Sequence, residues 1–384
     1  MVEGSTNLQI IKKEIQYSSY KQTIEHGTHG NAALILLIFS HITFARKAVI
    51  CSLFAIILHS LLRRTFSSQM VRGCFVGSGS EGLQQPEIVS KIIELTKKAD
   101  PAEIKVAYVG TATYDLETPK TNQTGKLAEA GCIITSVMLS RDNNDDAAMS
   151  TAVNEADVVI ISGGNTLYAM DMWKHTKLDV LLKAAADRGC VLAGGSAGAI
   201  CWFDAGHSDS ADPDTYKEAM IKEYSAAPDD APKDESTSLA EGEEAKPWKY
   251  IRVGCLAFLP GLVCPHADKV QSNGVLRVTD FDEMLVRHKG ERGICIDHFA
   301  ALCVDGDDYH VLSLPDRPGS VLENGEFSMA REGKPGCWVK DVSAEGKIVT
   351  ELVPETGKIA ELTKAAEAIA DDAACDQCRL ENPI

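Results

Sequence analysis

From about residue 70 onward the sequence predicts an α/β protein, a three-layer α/β/α sandwich built on a mostly parallel central sheet. Three observations predict it. Short apolar runs of strand length alternate with longer segments of helical apolar spacing, the pattern of successive βαβ units. Most runs close on a turn of small residues, as in Gly77-Ser78-Gly79-Ser80, Gly110-Thr111-Ala112-Thr113 and Gly163-Gly164-Asn165-Thr166. Finally, the run over 190–193 meets Gly194-Gly195-Ser196-Ala197-Gly198, a strand, sharp turn and helix with a serine at the apex, in the G-x-S-x-G form of a nucleophile elbow.

Taken in order, a strand over 71–76 precedes a helix over 86–99, marked by Ile88, Val89, Ile92, Ile93 and Leu95. A strand over 104–109, a helix over 121–130 and a strand over 132–139 follow. A short acidic turn and helix then lead to a strand over 157–162, a helix reaching about residue 186, and the strand before Ser196. Ligands of such sheets bind beyond the C-terminal ends of the strands. Gly163-Gly164-Asn165 and Ser196 both lie at such ends, one βα unit apart. Residues 205–249 break the rhythm: they are acidic and rich in Ala, Pro and Ser, which reads as an insertion over the surface. Order returns at Tyr250, and 255–265 leads into His266. Segments 293–296, 300–304 and 309–313 alternate with turns and suggest an antiparallel edge. The catalytic fold is expected to span 70–345, with a C-terminal tail over 346–384 that carries a helix over 358–370.

The first 69 residues differ from the rest. Two apolar stretches, 32–45 and 48–62, are split by Arg46-Lys47 and followed by Arg63-Arg64. Each is shorter than the roughly 20 residues of a membrane-spanning helix. Membrane contact through 32–62 is the alternative to the favoured reading, an extension outside the catalytic fold that begins near Met70.

Composition excludes some functions. The 384 residues carry a net charge of −17, which disfavours nucleic acid or an anionic membrane as the main partner. Twelve cysteines are scattered through apolar segments, as expected of free thiols in a reducing, cytoplasmic compartment. Cys375 and Cys378 form one C-x-x-C with no second pair at zinc-site spacing, so no metal is expected.

A serine nucleophile needs a base, and histidine has the appropriate pKa. His266 follows an apolar run and Pro265 and is the favoured candidate; His207, closer to Ser196 in sequence, is its competitor. Acyl transfer also needs backbone N–H groups aimed at the developing oxyanion, and Gly164 and Ala197 are the natural donors. The same turns could merely connect and pack, and a histidine at a strand end is often structural.

Three motifs in order add to this reading. Ser162-Gly163-Gly164-Asn165-Thr166-Leu167, Gly194-Gly195-Ser196-Ala197-Gly198-Ala199 and Pro265-His266 resemble the peptidase E (aspartyl dipeptidase) and cyanophycinase family of serine peptidases, whose fold is the class I glutamine amidotransferase-like sandwich. Ile200-Cys201-Trp202-Phe203 and Gly206-His207-Ser208-Asp209 look most like the peptidase E-like branch. The resemblance covers roughly residues 70–313. It implies Ser196 as nucleophile, His266 as base, the Gly164 and Ala197 amides as oxyanion hole, and Asn165 near the substrate. The stretch 293–302 resembles a family segment in which a Glu follows the Asp, but here that place is His298. Asp297 is therefore the expected acid beside His266, with Asp204 and Asp268 behind it. The aspartyl dipeptidases it resembles release N-terminal Asp, and Arg277 is the candidate to grip that carboxylate.

The resulting expectation is a serine exopeptidase of short peptides, needing no cofactor. The alternatives are a cyanophycinase-like or esterase-type serine hydrolase and a non-catalytic binding protein on the same fold. An α/β-hydrolase esterase would place its acid before the histidine and a His-Gly-Gly run upstream, which this chain lacks. A homodimer is compatible with the sequence.

Overall fold

A computed structural model describes residues 71–140, 145–226, 244–288, 290–323, 326–330 and 334–364. The extension with its apolar stretches at 32–62, the part of the insertion over 227–243, and the end of the tail from 365 lie outside the described residues. No helix among the described residues is long and apolar enough to cross a membrane.

The chain opens with β1 (Arg72–Val76), a short α1 (Ser80–Leu83) and α2 (Pro86–Leu95), then β2 (Lys105–Val109), α3 (Glu117–Glu129), β3 (Ile133–Val137) and α4 (Asp146–Glu155). It continues with β4 (Val158–Ile161), α5 (Thr166–Thr176), α6 (Leu178–Asp187), β5 (Val191–Gly195) and a one-turn α7 (Ala197–Ile200). Strands β1, β5, β4, β2 and β3 lie side by side in that order, all parallel. β10 (Ala300–Asp305), β11 (Asp308–Ser313) and β16 (Thr356–Lys358) extend the sheet antiparallel from β1 to give eight strands.

Burial on both faces explains the strand sequences. All four residues of β4, Val-Val-Ile-Ile, are buried, as expected of a parallel strand covered above and below. On β5, Val191 and Ala193 face one core and Leu192 the other, the alternation of a pleated strand. One core lies under α1, α2 and α3 through Leu83, Ile88, Ile92, Leu95 and Leu127. The other joins α4, α5 and α6, through Val153, Trp173 and Leu182, to Phe75, Val109, Ile161 and Leu192. Each buried aliphatic side chain contributes roughly 2 kcal/mol. The α/β fold with helices on both faces of a mostly parallel sheet is thus as the sequence predicts.

A second, six-stranded sheet was not legible. Its order is β15 (Ile348–Leu352), β14 (Cys337–Val342), β9 (Gly293–Ile296), β8 (Leu259–Cys264), β6 (Phe203–Ser208) and β7 (Ile251–Gly254). β6, β8 and β9 are parallel. One face of this sheet joins the core of the main sheet through Val253, Val263, Ile294 and Ile296. Its other face packs on α9 (Arg277–Arg287) through Val278, Phe281, Met284 and Leu285.

Three expectations change accordingly. The start of the presumed insertion, 205–208, belongs to β6; beyond it come a 3-10 turn at Pro213–Thr215 and α8 (Lys217–Ala226). Segment 293–296 does not join the antiparallel edge with 300–304 and 309–313 but runs parallel to β8. Residues 348–352 of the expected tail form β15, because a turn at Gly346 folds them back on β14. There the expected helix over 358–370 is only α10 (Ile359–Leu362) among the described residues. β12 (Gly319–Glu323) and β13 (Glu326–Ala330) make a separate hairpin.

Candidate active site

Parallel strands that end level bring their following loops together. Val76 pairs with Gly195, and Ile161 with Gly194, so the residues after β1, β5 and β4 leave the sheet at one edge. Ser196 stands first after β5 at φ 54°, ψ −120°, a left-handed backbone that costs a non-glycine residue about 1–3 kcal/mol. Gly195 and Gly198 beside it leave no room for a side chain. A Cβ on Gly195 would lie 2.0 Å from the Ser78 carbonyl oxygen, and one on Gly198 2.1 Å from that of Ile161. Ser196 is 7% exposed, and its amide donates to the Val76 carbonyl at 3.1 Å. The Ala197 amide opens α7 and has no acceptor within the helix. Gly164, at φ 112°, passes so close to the preceding loop that a Cβ would lie 2.3 Å from the Ala112 carbonyl oxygen.

His266 follows β8 and is likewise left-handed, at φ 48°, and almost fully buried. Its amide donates to the Gly77 carbonyl at 3.2 Å. Consecutive carbonyls at the end of β1 therefore hold the amides of Ser196 and His266, which joins the two sheets at this point. Burial, followed by the neighbouring His298, Arg277 and Lys269, holds the His266 imidazole well below the ordinary histidine range, so the ring is neutral near pH 7.

The partner of His266 is a second histidine. Nδ1 of His266 lies 2.7 Å from Nδ1 of His298, and Nε2 of His298 lies 2.6 Å from Oε2 of Glu81. Both rings are buried. Ser78 Oγ donates to the His298 carbonyl at 2.8 Å, and Asp268 Oδ1 accepts from the His298 amide at 2.7 Å.

Asp297, the expected acid, is turned elsewhere. Its carboxylate accepts hydrogen bonds from the Ser320 amide and hydroxyl, at 3.0 and 2.6 Å, and from the Gly336 amide at 2.9 Å. It ties the β12 hairpin and the start of β14 to the end of β9. The strand stops at Ile296, and Asp297 and His298 lie in the tight turn into β10, which the Ala300 amide closes on the Asp297 carbonyl at 3.0 Å, so the two side chains meet different partners. The alternatives do not reach the ring either. Asp268 receives the His298 amide, and Asp204 receives the Gly261 amide at 3.1 Å. His207, the competing base, is a core residue of β6, bonded to Asp280 at 2.8 Å and stacked on Tyr250. Glu81 escaped the sequence reading. The available signal was its position, directly after the Gly-Ser-Gly-Ser turn that closes a central strand.

The model of peptidase family S51 matches residues 75–312, which includes every residue of this constellation. The chain belongs to peptidase family S51. Among relatives of this S51 protein, a Trypanosoma brucei brucei protein named G2/mitotic-specific cyclin-1 is 29% identical over 312 residues, covering 77% of this chain and 88% of that one. An uncharacterized peptidase, YgaJ of Bacillus subtilis (strain 168), is 33% identical over 122 residues, covering 32% of this chain and 51% of the other. Among solved structures, a Listeria monocytogenes EGD-e protein described as a peptidase E matches at a TM-score of 0.43 and 14% identity, over 64% of this chain and 99% of that one. A peptidase from an acI-B1 Actinobacterium matches at 0.43 and 15%, over 69% and 96%.

Two residues expected at the substrate of this S51 chain are occupied. The Asn165 side chain caps α5 by accepting from the Tyr168 amide at 2.9 Å, and its amide nitrogen donates to the Ser210 carbonyl and to Thr215 Oγ1. Arg277 is fully buried and donates to Asp209, Gln271 and the His207 carbonyl. It does grip a carboxylate, but that of Asp209. Among the described residues no group of three or more His, Cys, Asp or Glu is arranged to hold a metal ion.

Proposed function

We propose that the chain is a serine-type exopeptidase that hydrolyses dipeptides or short peptides. Ser196 Oγ attacks the peptide carbonyl while His266 Nε2 takes its proton. The amides of Gly164 and Ala197 receive the oxyanion. The protonated His266 then gives its proton to the departing amine, and water hydrolyses the acyl-enzyme by the same route. The observation that carries this reading is the shared anchor: successive carbonyls of Val76 and Gly77 hold a strained serine and a strained histidine at one sheet edge. Backbone strain of this kind collects where function requires it.

Preference for N-terminal Asp is the finer part of the proposal. Arg277 would have to exchange Asp209 for the substrate carboxylate. Lys269 and Arg317 are further cations that could receive it, since they stand 5.5 and 4.8 Å from the centre of the Phe299 ring, which itself touches the His298 ring. A cytoplasmic location fits the nine described cysteines, all of which are free thiols.

The test compares the chain with its Ser196→Ala variant on Asp-Leu, Glu-Leu, Ala-Leu and β-Asp-Leu, and measures labelling by a fluorophosphonate. Expected are labelling and peptide turnover that both vanish in the variant, with Asp-Leu cleaved fastest. Turnover of other dipeptides but not of Asp-Leu would remove the aspartyl preference. Absence of both turnover and labelling from folded protein would favour a binding protein on the same fold.

A further inference from the structure

We infer that Glu81 supplies the acid of this site through His298, so that the serine works with two histidines and a carboxylate in line. The inference rests on Ser196 and His266 acting as proposed above.

Two imidazole nitrogens 2.7 Å apart must share one proton. If His298 donated from Nδ1 as a neutral ring, its Nε2 would be bare and would face the Glu81 carboxylate at 2.6 Å with no proton between them. An ionised Glu81 removes that arrangement. His298 then carries its proton on Nε2 and donates it to Glu81, which leaves Nδ1 of His298 as an acceptor. His266 must donate from Nδ1, so its Nε2 lone pair is bare and able to take the serine proton. A carboxylate two partners away thus sets the tautomer of the base, as an adjacent acid does in a three-residue triad. In the chemical step the Ser196 proton moves to His266 Nε2 and stays there until it passes to the leaving amine. The resulting imidazolium is stabilised by the negative charge of Glu81 across His298.

Placement supports the inference. The segment from the end of β1 into α1 holds all the parts: Val76 the Ser196 amide, Gly77 the His266 amide, Ser78 the His298 carbonyl, and Glu81 the His298 ring. Among the described residues, the other charged or titratable groups facing the two rings are Asp268, which receives the His298 amide, and Lys269 and Arg277, which oppose protonation of His266. Neither cation can do what Glu81 does, and Asp268 meets the backbone of His298, not its ring. Glu81 is therefore a positioning residue, acting through His298 on His266.

The test uses the full chain and three variants: Glu81→Gln, His298→Glu and the two together. The readouts are the rate of fluorophosphonate labelling across pH 5–9, kcat and KM on a cleaved dipeptide, and thermal unfolding. Glu81→Gln should slow labelling roughly 10- to 100-fold, less than loss of an acid directly beside the base and on the order of the cost when a metal-ligating histidine loses the partner that orients it. It should lower kcat far more than it raises KM, and move the acid limb to lower pH, because the imidazolium has lost its counter-charge. His298→Glu puts a carboxylate directly beside His266 and makes Glu81 dispensable, so the double variant should label faster than Glu81→Gln alone. If Glu81→Gln fails to unfold cooperatively, Glu81→Asp is read on the same measures: it keeps the charge but withdraws the carboxylate from His298 by one methylene, so labelling should again slow while the acid limb moves less. Labelling at the native rate with an unmoved acid limb in the Glu81 variant, or a double variant no faster than it, would overturn the relay while leaving the serine mechanism standing. A native chain that does not label at all would instead overturn the serine reading, and the relay with it.

Discussion

Gly77→Ala is the most informative single perturbation of the scaffold. Gly77 is not among the residues held at positive φ, so alanine is acceptable to its own backbone and the effect is purely one of space. A Cβ there would lie 1.9 Å from the Asp297 carbonyl oxygen, 2.6 Å from its carbonyl carbon and 3.1 Å from the His298 Cα. An ordinary contact is about 3.4 Å, so the loop after β1 and the end of β9 must part by roughly 1.5 Å. Overpacking of this kind costs about 1–3 kcal/mol, which lowers the midpoint of thermal unfolding by roughly 2–5 °C in a domain of this size. The displacement falls on the carbonyl that holds the His266 amide and on the backbone that carries His298. A shift of about 1 Å in a reacting constellation costs on the order of 100-fold, so kcat should fall by about that factor. Calorimetry and peptide turnover measure the two effects, with Gly125→Ala as control. Gly125 lies within α3 with nothing inside 4 Å of its added Cβ, and alanine there should stabilise by about 0.5–1 kcal/mol without touching activity. Native kcat and native melting in Gly77→Ala would refute the argument that this loop aligns the site by close backbone contact.

Two further predictions concern carboxylates. Burial, reinforced by the nearby Asp297 charge, pushes the Asp268 carboxyl up to about 7, against about 3.9 in an unfolded chain. A raised folded-state pKa means stability that is full below about pH 4 and is lost as pH rises through about 7. Asp268→Asn keeps an acceptor for the His298 amide, so its melting temperature should match the native one near pH 4 and exceed it at pH 8; equal pH dependence in both chains would count against this. Asp297→Asn should lower the melting temperature, because charge-assisted bonds to Ser320 and Gly336 are weakened, while changing kcat less than tenfold. A loss of 1,000-fold or more would restore Asp297 as the acid of the site.

The sequence by itself determined the α/β class, the parallel order of strand and helix up to Ser196, and the elbow. These are local matters: apolar periodicity, turn glycines and the small residues that a bent strand-to-helix turn requires lie within a few positions of one another. It also pointed to His266, through a strand ending in Pro265. Only the tertiary structure decided the second sheet, because β6, β8, β9 and β14 are joined by pairings between segments far apart in the chain, which no local pattern encodes. The same holds for the partner of His266. Asp297 and His298 are equivalent in a linear reading, and the turn between β9 and β10 sends the carboxylate to Ser320 and the imidazole to His266. Glu81 lies 185 positions before His266 and meets it only through His298, when the first strand of one sheet closes against the last residues of two strands of the other. Arg277 shows the converse: its sequence position invites a substrate, and the fold has already given it Asp209.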